Sequence, residues 1–253
     1  MDLGLAGKKA IITGGTKGIG RRIAEVLLAE GCDIAICSRD PANVSEAADA
    51  LSAGGGRVLA GACDISNKEE YEAWLEAMVA DLGGVDIFVP NVSAGPQPPG
   101  EDGWRANFET DVMGCVRGCE VIVPHMAGGG GGAITVIGTT AASETFMAPL
   151  AYNALKASLI TYAKQLGQET GKDGIRINVV SPGPVYFEGG PWHRIEQANK
   201  DFFDASLAAH PSGRLGKPEE VARCVAFLSS PAASWVTGVN LTVDGGYTKR
   251  VQF

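Results

Sequence analysis

Thr13-Gly14-Gly15-Thr16-Lys17-Gly18-Ile19-Gly20 is preceded by Ala10-Ile11-Ile12, a short apolar run of strand type. It is followed by Ile23, Val26, Leu27 and Leu28 at helical spacing. A strand, a glycine turn and a helix in that order make a phosphate cradle. Glycines let the backbone approach a pyrophosphate, and the first helical turn offers free N–H groups at its positive dipole end. Gly14, Thr16, Lys17, Gly18, Ile19 and Gly20 are therefore candidate contacts to a dinucleotide.

The same alternation continues along the chain. Strand-like runs occur at 9–13, 33–37, 58–62, 85–89, 133–137, 176–180 and 240–243. Helical stretches lie between them at 19–30, 42–52, 68–82, 104–125, 151–170 and 219–229, with His125 expected to mark a helix end. This order predicts an α/β fold, a parallel sheet of about seven strands with helices on both faces. No composition shift or repeat marks a second domain, so residues 1–253 read as one. The Gly128–Gly132 run reads as a surface loop, because no helix follows it directly. From 182 to 214 the rhythm breaks. No strand is expected there, and Tyr186, Phe187, Trp192, Phe202 and Phe203 are concentrated in it. A long aromatic excursion at strand ends predicts a substrate lid at about 184–214.

Composition narrows the function. A net charge of -8 and a pI near 5.0 argue against non-specific nucleic-acid binding. No apolar run approaches the ~20 residues that span a bilayer. Met1-Asp2-Leu3-Gly4 lacks the basic start of a signal peptide. The expectation is a soluble, cytoplasmic protein. The six cysteines form no CxxC pair and read as buried, reduced thiols rather than a metal or redox site. Cys115 and Cys119, one helical turn apart, share a side.

The end of the second strand bears on cofactor choice. An acid there binds a ribose 2′-hydroxyl. Here Ser38 stands in that place and Arg39 follows. A guanidinium clamps a 2′-phosphate by paired, charge-assisted bonds, and Lys17 adds a second cation. Together they favour NADP(H) over NAD(H), with Asp40 a competing partner for Arg39. Asp64, after the third strand, is placed to accept from the adenine amino group.

Tyr152 and Lys156 are four apart on one helix and so share a face. A nearby ammonium stabilises phenolate and lowers the phenol pKa from near 10, so the pair can exchange a proton. The helix follows a strand that ends in Gly138-Thr139-Thr140, and ligands of open α/β sheets bind at the carboxyl ends of strands. A hydroxyl there can bond a substrate carbonyl.

Taken together, TGGTKGIG at 13–20, Cys63-Asp64-Ile65, Asn91 in VPNVSAG, YNALK at 152–156, Ser181-Pro182-Gly183 and Val243-Asp244-Gly245-Gly246 resemble the classical short-chain dehydrogenase/reductase family. The resemblance runs over essentially the whole length. It implies a Rossmann-type doubly wound sheet, a homotetramer built through the two long helices and the last strand, and hydride transfer between nicotinamide and a carbonyl or alcohol carbon without a metal. It implies Tyr152 as acid/base, Lys156 as the residue that lowers its pKa and holds the nicotinamide ribose, and Thr139 as the polarising hydroxyl. Thr140 and Ser143 are fallbacks for that hydroxyl. Ile65, Asn91, Pro182, Gly183 and Val185 join the implied cofactor contacts.

The chain departs from the family pattern at several points. Threonine replaces serine at 139, and Asp111 stands where an asparagine usually holds a water of the proton relay. Asn107, one turn earlier, is not taken in its place. Phe187 stands where a threonine usually meets the carboxamide. The expected activity is NADPH-dependent reduction of a small or medium ketone, or its reverse. A 3-oxoacyl-thioester reductase is an alternative, with Arg194, Lys200 and Arg214 as possible carrier contacts diluted by neighbouring acids. A catalytically weak NADP(H)-binding sensor or scaffold is another. His193 and His210 read as surface or packing residues.

Overall fold

A computed structural model describes residues 2–145 and 149–251. Strand β1 (Lys9–Thr13) enters α1 (Gly18–Ala29) through the glycine turn. The chain continues as β2 (Asp33–Ser38), α2 (Pro41–Ser52), β3 (Val58–Ala62), α3 (Lys68–Leu82) and β4 (Ile87–Val89). Next come α4 (Glu101–Asn107), a π-helical segment (Phe108–Met113), α5 (Gly114–Gly128), β5 (Gly132–Ile137) and α6 (Ala151–Thr170). Strand β6 (Ile175–Pro182) leads to the helix pair α7 (Pro191–Ala198) and α8 (Lys200–Ala209), then α9 (Pro218–Ser229) and β7 (Asn240–Val243). The seven strands pair in the order β3-β2-β1-β4-β5-β6-β7, all parallel. The order reverses between β1 and β4, which opens a crevice at the carboxyl ends of the strands.

Alternation of side chains builds two cores from one sheet. Ile11 points to the face covered by α3, α5 and α6, among Tyr71, Leu75, Ile122 and Leu159. Ala10 and Ile12 point to the other face, among Ile23, Leu27, Val221 and Val225 of α1 and α9. Trp192, Phe203 and Leu215 make a separate small cluster over 192–215, and the stretch expected to lack strands holds the helix pair α7 and α8. No helix among the described residues is long and apolar enough to cross a membrane.

Three elements differ from the sequence expectation by more than a single residue at an end. Strand β4 starts at Ile87, because the Asp86 carboxylate turns aside to take the Lys9 N–H at 2.9 Å and the Lys8 ammonium at 2.9 Å. Strand β6 runs on through Pro182, whose place at a strand end spares the missing N–H. The predicted helix over 104–125 is three pieces. It starts at Glu101, widens into the π segment where Asp111 is drawn inward, and ends at Gly128 rather than at His125. His125 instead joins α5 to α3, its Nε2 lying 2.9 Å from Glu76 Oε2.

All six cysteines are free, and five are buried. Burial pushes the Cys32 thiol up to about 12, where thiolate is scarce.

Candidate functional site

Helix α1 begins with Lys17 as N-cap, yet no side chain caps it and its first turn holds no acid. Its leading N–H groups are therefore left for an anion, which fits the diphosphate of a dinucleotide. The turn is held in shape by Asn91. Its Nδ2 donates to Thr13 O at 3.0 Å and to Gly14 O at 3.3 Å, and its backbone N–H donates to Thr13 Oγ1 at 3.0 Å. A Cβ on Gly20 would lie 2.3 Å from Gly14 O and 2.4 Å from Asn91 Nδ2, so only glycine fits. Asn91 thus ties the end of β4 to the phosphate turn.

At the end of β2, Ser38 is half-buried and Arg39 is exposed. Asp40 is occupied elsewhere. It caps α2, accepting from Ala42 N at 2.9 Å and Asn43 Nδ2 at 2.8 Å. Asp64 accepts from Ser66 N at 3.0 Å and Ser66 Oγ at 2.7 Å. Burial raises its carboxyl, but these two bonds and the Arg39 charge outweigh that and hold it below the ordinary range. Arg39 and Asp64 thus flank one end of the crevice. Ile65 is buried against Gly114 of α5.

The other end is a cavity of about 490 Å³. Ile19, Asn91, Thr139, Tyr152, Lys156, Pro182, Gly183 and Val185 all line it, so residues far apart in sequence converge on one space. Thr16, Lys17 and Gly18 line a second space of about 1060 Å³ on the far side of Phe187. The Phe187 ring borders both spaces and rests on the phosphate turn, since a Cβ on Gly18 would lie 2.5 Å from its Cζ. Gly18 has φ +57, a second reason for glycine there.

Thr139 ends the turn after β5. Its Oγ1 accepts from Ala141 N at 3.2 Å, and its hydroxyl hydrogen-bonds the Tyr152 phenol. Lys156 Nζ donates to Ile137 O at 3.0 Å and lies 3.2 Å from Asp111 Oδ1, with only 3% and 0% of the two side chains exposed. Asp111 Oδ2 accepts from Asn107 Nδ2 at 2.9 Å and Ala94 N at 3.2 Å. Asn107 Nδ2 also donates to Gly95 O at 2.8 Å. The Tyr152 phenol departs from the sequence expectation. Burial raises its pKa, Lys156 and the Thr139 bond pull it down, Asp111 pushes it up, and the net direction is upward. The lysine acts in the predicted sense, but enclosure outweighs it.

Two features escaped the sequence reading. Asn107 holds Asp111 in place, and a buried amide one turn before a buried carboxylate is the signal for it. The segment Tyr247–Lys249 closes the cavity from the C-terminal side. It is pinned by Asp244, whose carboxylate accepts from Thr248 N at 2.9 Å, Thr248 Oγ1 at 2.7 Å and Gly246 N at 2.9 Å. The Tyr247 ring stacks on His210 with centroids 4.2 Å apart. His210 is buried, and its Nδ1 donates to Ser206 O at 2.7 Å, a packing role. His193, in α7, accepts from Gly189 N at 2.9 Å.

Comparison with known proteins agrees with this geometry. Residues 14–248 match the family model described as enoyl-(acyl carrier protein) reductase. Isoepoxydon dehydrogenase patN of Penicillium expansum is 33% identical, the match covering 100% of this chain and 99% of that protein. L-sorbose reductase from Gluconobacter frateurii, solved with NADPH and L-sorbose, superposes with a TM-score of 0.91 at 33% identity, covering 99% of this chain and 100% of that one. A 7α-hydroxysteroid dehydrogenase solved with NADH and 7-oxo glycochenodeoxycholic acid gives 0.89 at 31% identity, covering 99% and 98%. The chain belongs to the short-chain dehydrogenase/reductase family. It is an oxidoreductase of CH–OH and C=O groups, in a family that binds a nicotinamide cofactor.

Proposed function

We propose that the protein reduces a compact ketone to a secondary alcohol with NADPH, or runs the reverse reaction. The observation that carries this reading is the meeting of Thr139, Tyr152 and Lys156 at one cavity on the carboxyl ends of the strands. A bound nicotinamide supplies the hydride that the carbonyl carbon accepts. Thr139 donates to the carbonyl oxygen and orients it. Tyr152 gives its proton to that oxygen as negative charge develops there. Lys156 stabilises the phenolate left behind. The residues that would hold the cofactor are the N–H groups of Gly18, Ile19 and Gly20 at the diphosphate, Arg39 and Lys17 at a 2′-phosphate, Ser38, Asp64 and Ile65 at the adenosine, and Pro182, Gly183 and Val185 with Lys156 at the nicotinamide end.

Support for NADPH is the exposed Arg39, which Asp40 does not engage because it caps α2. Support for a compact substrate is the wall of Pro96, Leu150, Phe187, Trp192 and Ile195 around a cavity of about 490 Å³. The lid role of 184–214 draws support from Phe187, Trp192 and Ile195 facing that cavity. The acyl-thioester alternative has less support. Arg194 donates to Gly189 O at 2.9 Å, Lys200 pairs with Asp204, and Arg214 pairs with Glu220 at 2.6 Å, which leaves few cations for an acidic carrier. A homotetramer is supported by two separate exposed apolar patches. One holds Trp104 and Phe108, the other Phe227, Trp235 and Val239 beside the edge strand β7. Two distinct self-complementary faces generate a two-axis tetramer.

The test is NADPH oxidation over a ketone panel. Tyr152→Phe is expected to lower kcat by about 10²–10⁴-fold with NADPH affinity unchanged. Thr139→Ala is expected to lower kcat more than it weakens the cofactor. Tight NADPH binding by the unaltered protein with no turnover of any carbonyl would replace this reading with the sensor.

A further inference from the structure

The π segment swings Asp111 into the protein, where its carboxylate is enclosed completely. One oxygen is spoken for by Asn107 Nδ2 and the Ala94 N–H, and the other faces Lys156 Nζ at 3.2 Å. A carboxylate at contact distance from an ammonium, both out of water, offsets part of the field that the ammonium casts on a third group. That third group is Tyr152. Its charged neighbours are Lys156 from its own helix and Asp111 from the π segment. The turn after β5 contributes the uncharged Thr139, and the segment after β6 contributes Phe187, Trp192 and Ile195. Glu144, from the loop after β5, and Lys249, from the C-terminal segment, line the same cavity.

We propose that Asp111 is a positioning residue that offsets part of the Lys156 field at Tyr152, so that the phenol keeps its proton further into the alkaline range and carbonyl reduction holds its rate there. The inference rests on the reading of Tyr152 as proton donor. Reduction starts from the phenol. Its O–H bond breaks, the proton goes to the carbonyl oxygen, the carbon gains hydride from reduced nicotinamide, and phenolate remains. Oxidation starts from phenolate and runs the same transfers backward. A site that holds its phenol protonated to higher pH therefore keeps the form that starts reduction populated over a wider range. The Tyr152 pKa lies above its ordinary value chiefly through burial, and Asp111 adds to that direction.

The experiment titrates Tyr152 in the cofactor-free protein by phenolate absorbance, taken as the difference from Tyr152→Phe. It also records kcat/KM against pH in both directions. Removing the anion in Asp111→Asn is expected to lower the Tyr152 midpoint by about one unit or more. The alkaline limb of reduction and the phenolate-requiring limb of oxidation should both move to lower pH with it, while the ratio of the two directions at a fixed pH stays set by the overall equilibrium. Asp111→Glu, which keeps the charge, should retain the original midpoint. Should the amide variant fail to fold, Asp111→Ser removes the same charge. An unchanged or raised midpoint in a folded charge-removing variant, even with reduced activity, would overturn the proposal and leave Asp111 a packing residue. Absence of turnover in the unaltered protein would sink the reductase reading instead, and the absorbance titration would still decide the electrostatic effect.

Discussion

Arg39→Asp reverses the charge at the end of β2, where the side chain is exposed and Asp40 is engaged in capping α2. A guanidinium can offer a 2′-phosphate two charge-assisted bonds, each ~1.5–3 kcal/mol when well enclosed. Exposure places the pair at the low end, so about 2 kcal/mol is lost on removing it. Repulsion between the new carboxylate and the phosphate adds about 1 kcal/mol in a solvated setting. The sum weakens NADPH binding on the order of 100-fold. NADH carries a hydroxyl at that point, which the carboxylate can accept from, so its affinity should hold or improve. Quenching of tryptophan fluorescence by each nucleotide gives both Kd values, and raising the ionic strength should shrink the difference. A NADPH/NADH ratio that moves less than threefold would refute the clamp. Lys17 would then be the next group to test.

Two further outcomes are expected. Gly20→Ala forces a Cβ within 2.3 Å of Gly14 O, a backbone atom that cannot swing away, so the turn must shift. The cost is about 2–3 kcal/mol, seen as a drop in Tm of roughly 5–10 °C with weaker nucleotide binding; a melt within about 2 °C of the parent would show that the turn yields easily. Trp235→Glu places a charge on a residue 98% exposed beside β7; under the proposed tetramer, light scattering after gel filtration should show a smaller species than the unaltered protein forms. An unchanged mass would remove that face from the interface.

Local chemistry made much of the architecture readable in advance. Each strand of a parallel sheet buried on both sides is a short apolar run, and each crossover helix carries its own period, so the alternation, the glycine turn and the parallel sheet were visible. Tyr152 and Lys156 were readable because helical spacing alone brings them to one face. The π segment was not, because a sequence shows Asp111 in a helix but not the Lys156 ammonium and Asn107 amide that draw it inward. The direction of the Tyr152 pKa was missed for a related reason. Spacing reveals the cation, whereas enclosure by β5, the π segment and the lid exists only after folding. Phe187 drew notice only as an unusual residue after a Pro-Gly turn, while its seat on Gly18 depends on how the lid returns across the phosphate turn.

Trp192, Phe203 and Leu215 pack with one another rather than with either sheet-flanking core. Lifting α7 and α8 therefore exposes a handful of side chains, worth ~1.5–3 kcal/mol each when fully enclosed, and leaves the two large cores sealed. Amide hydrogens in those helices should trade with solvent far sooner than those of the central strands. The helix pair and the frame are fastened independently, so under the proposed lid role its side chains can be exchanged for new substrates with little toll on the melting temperature of the whole.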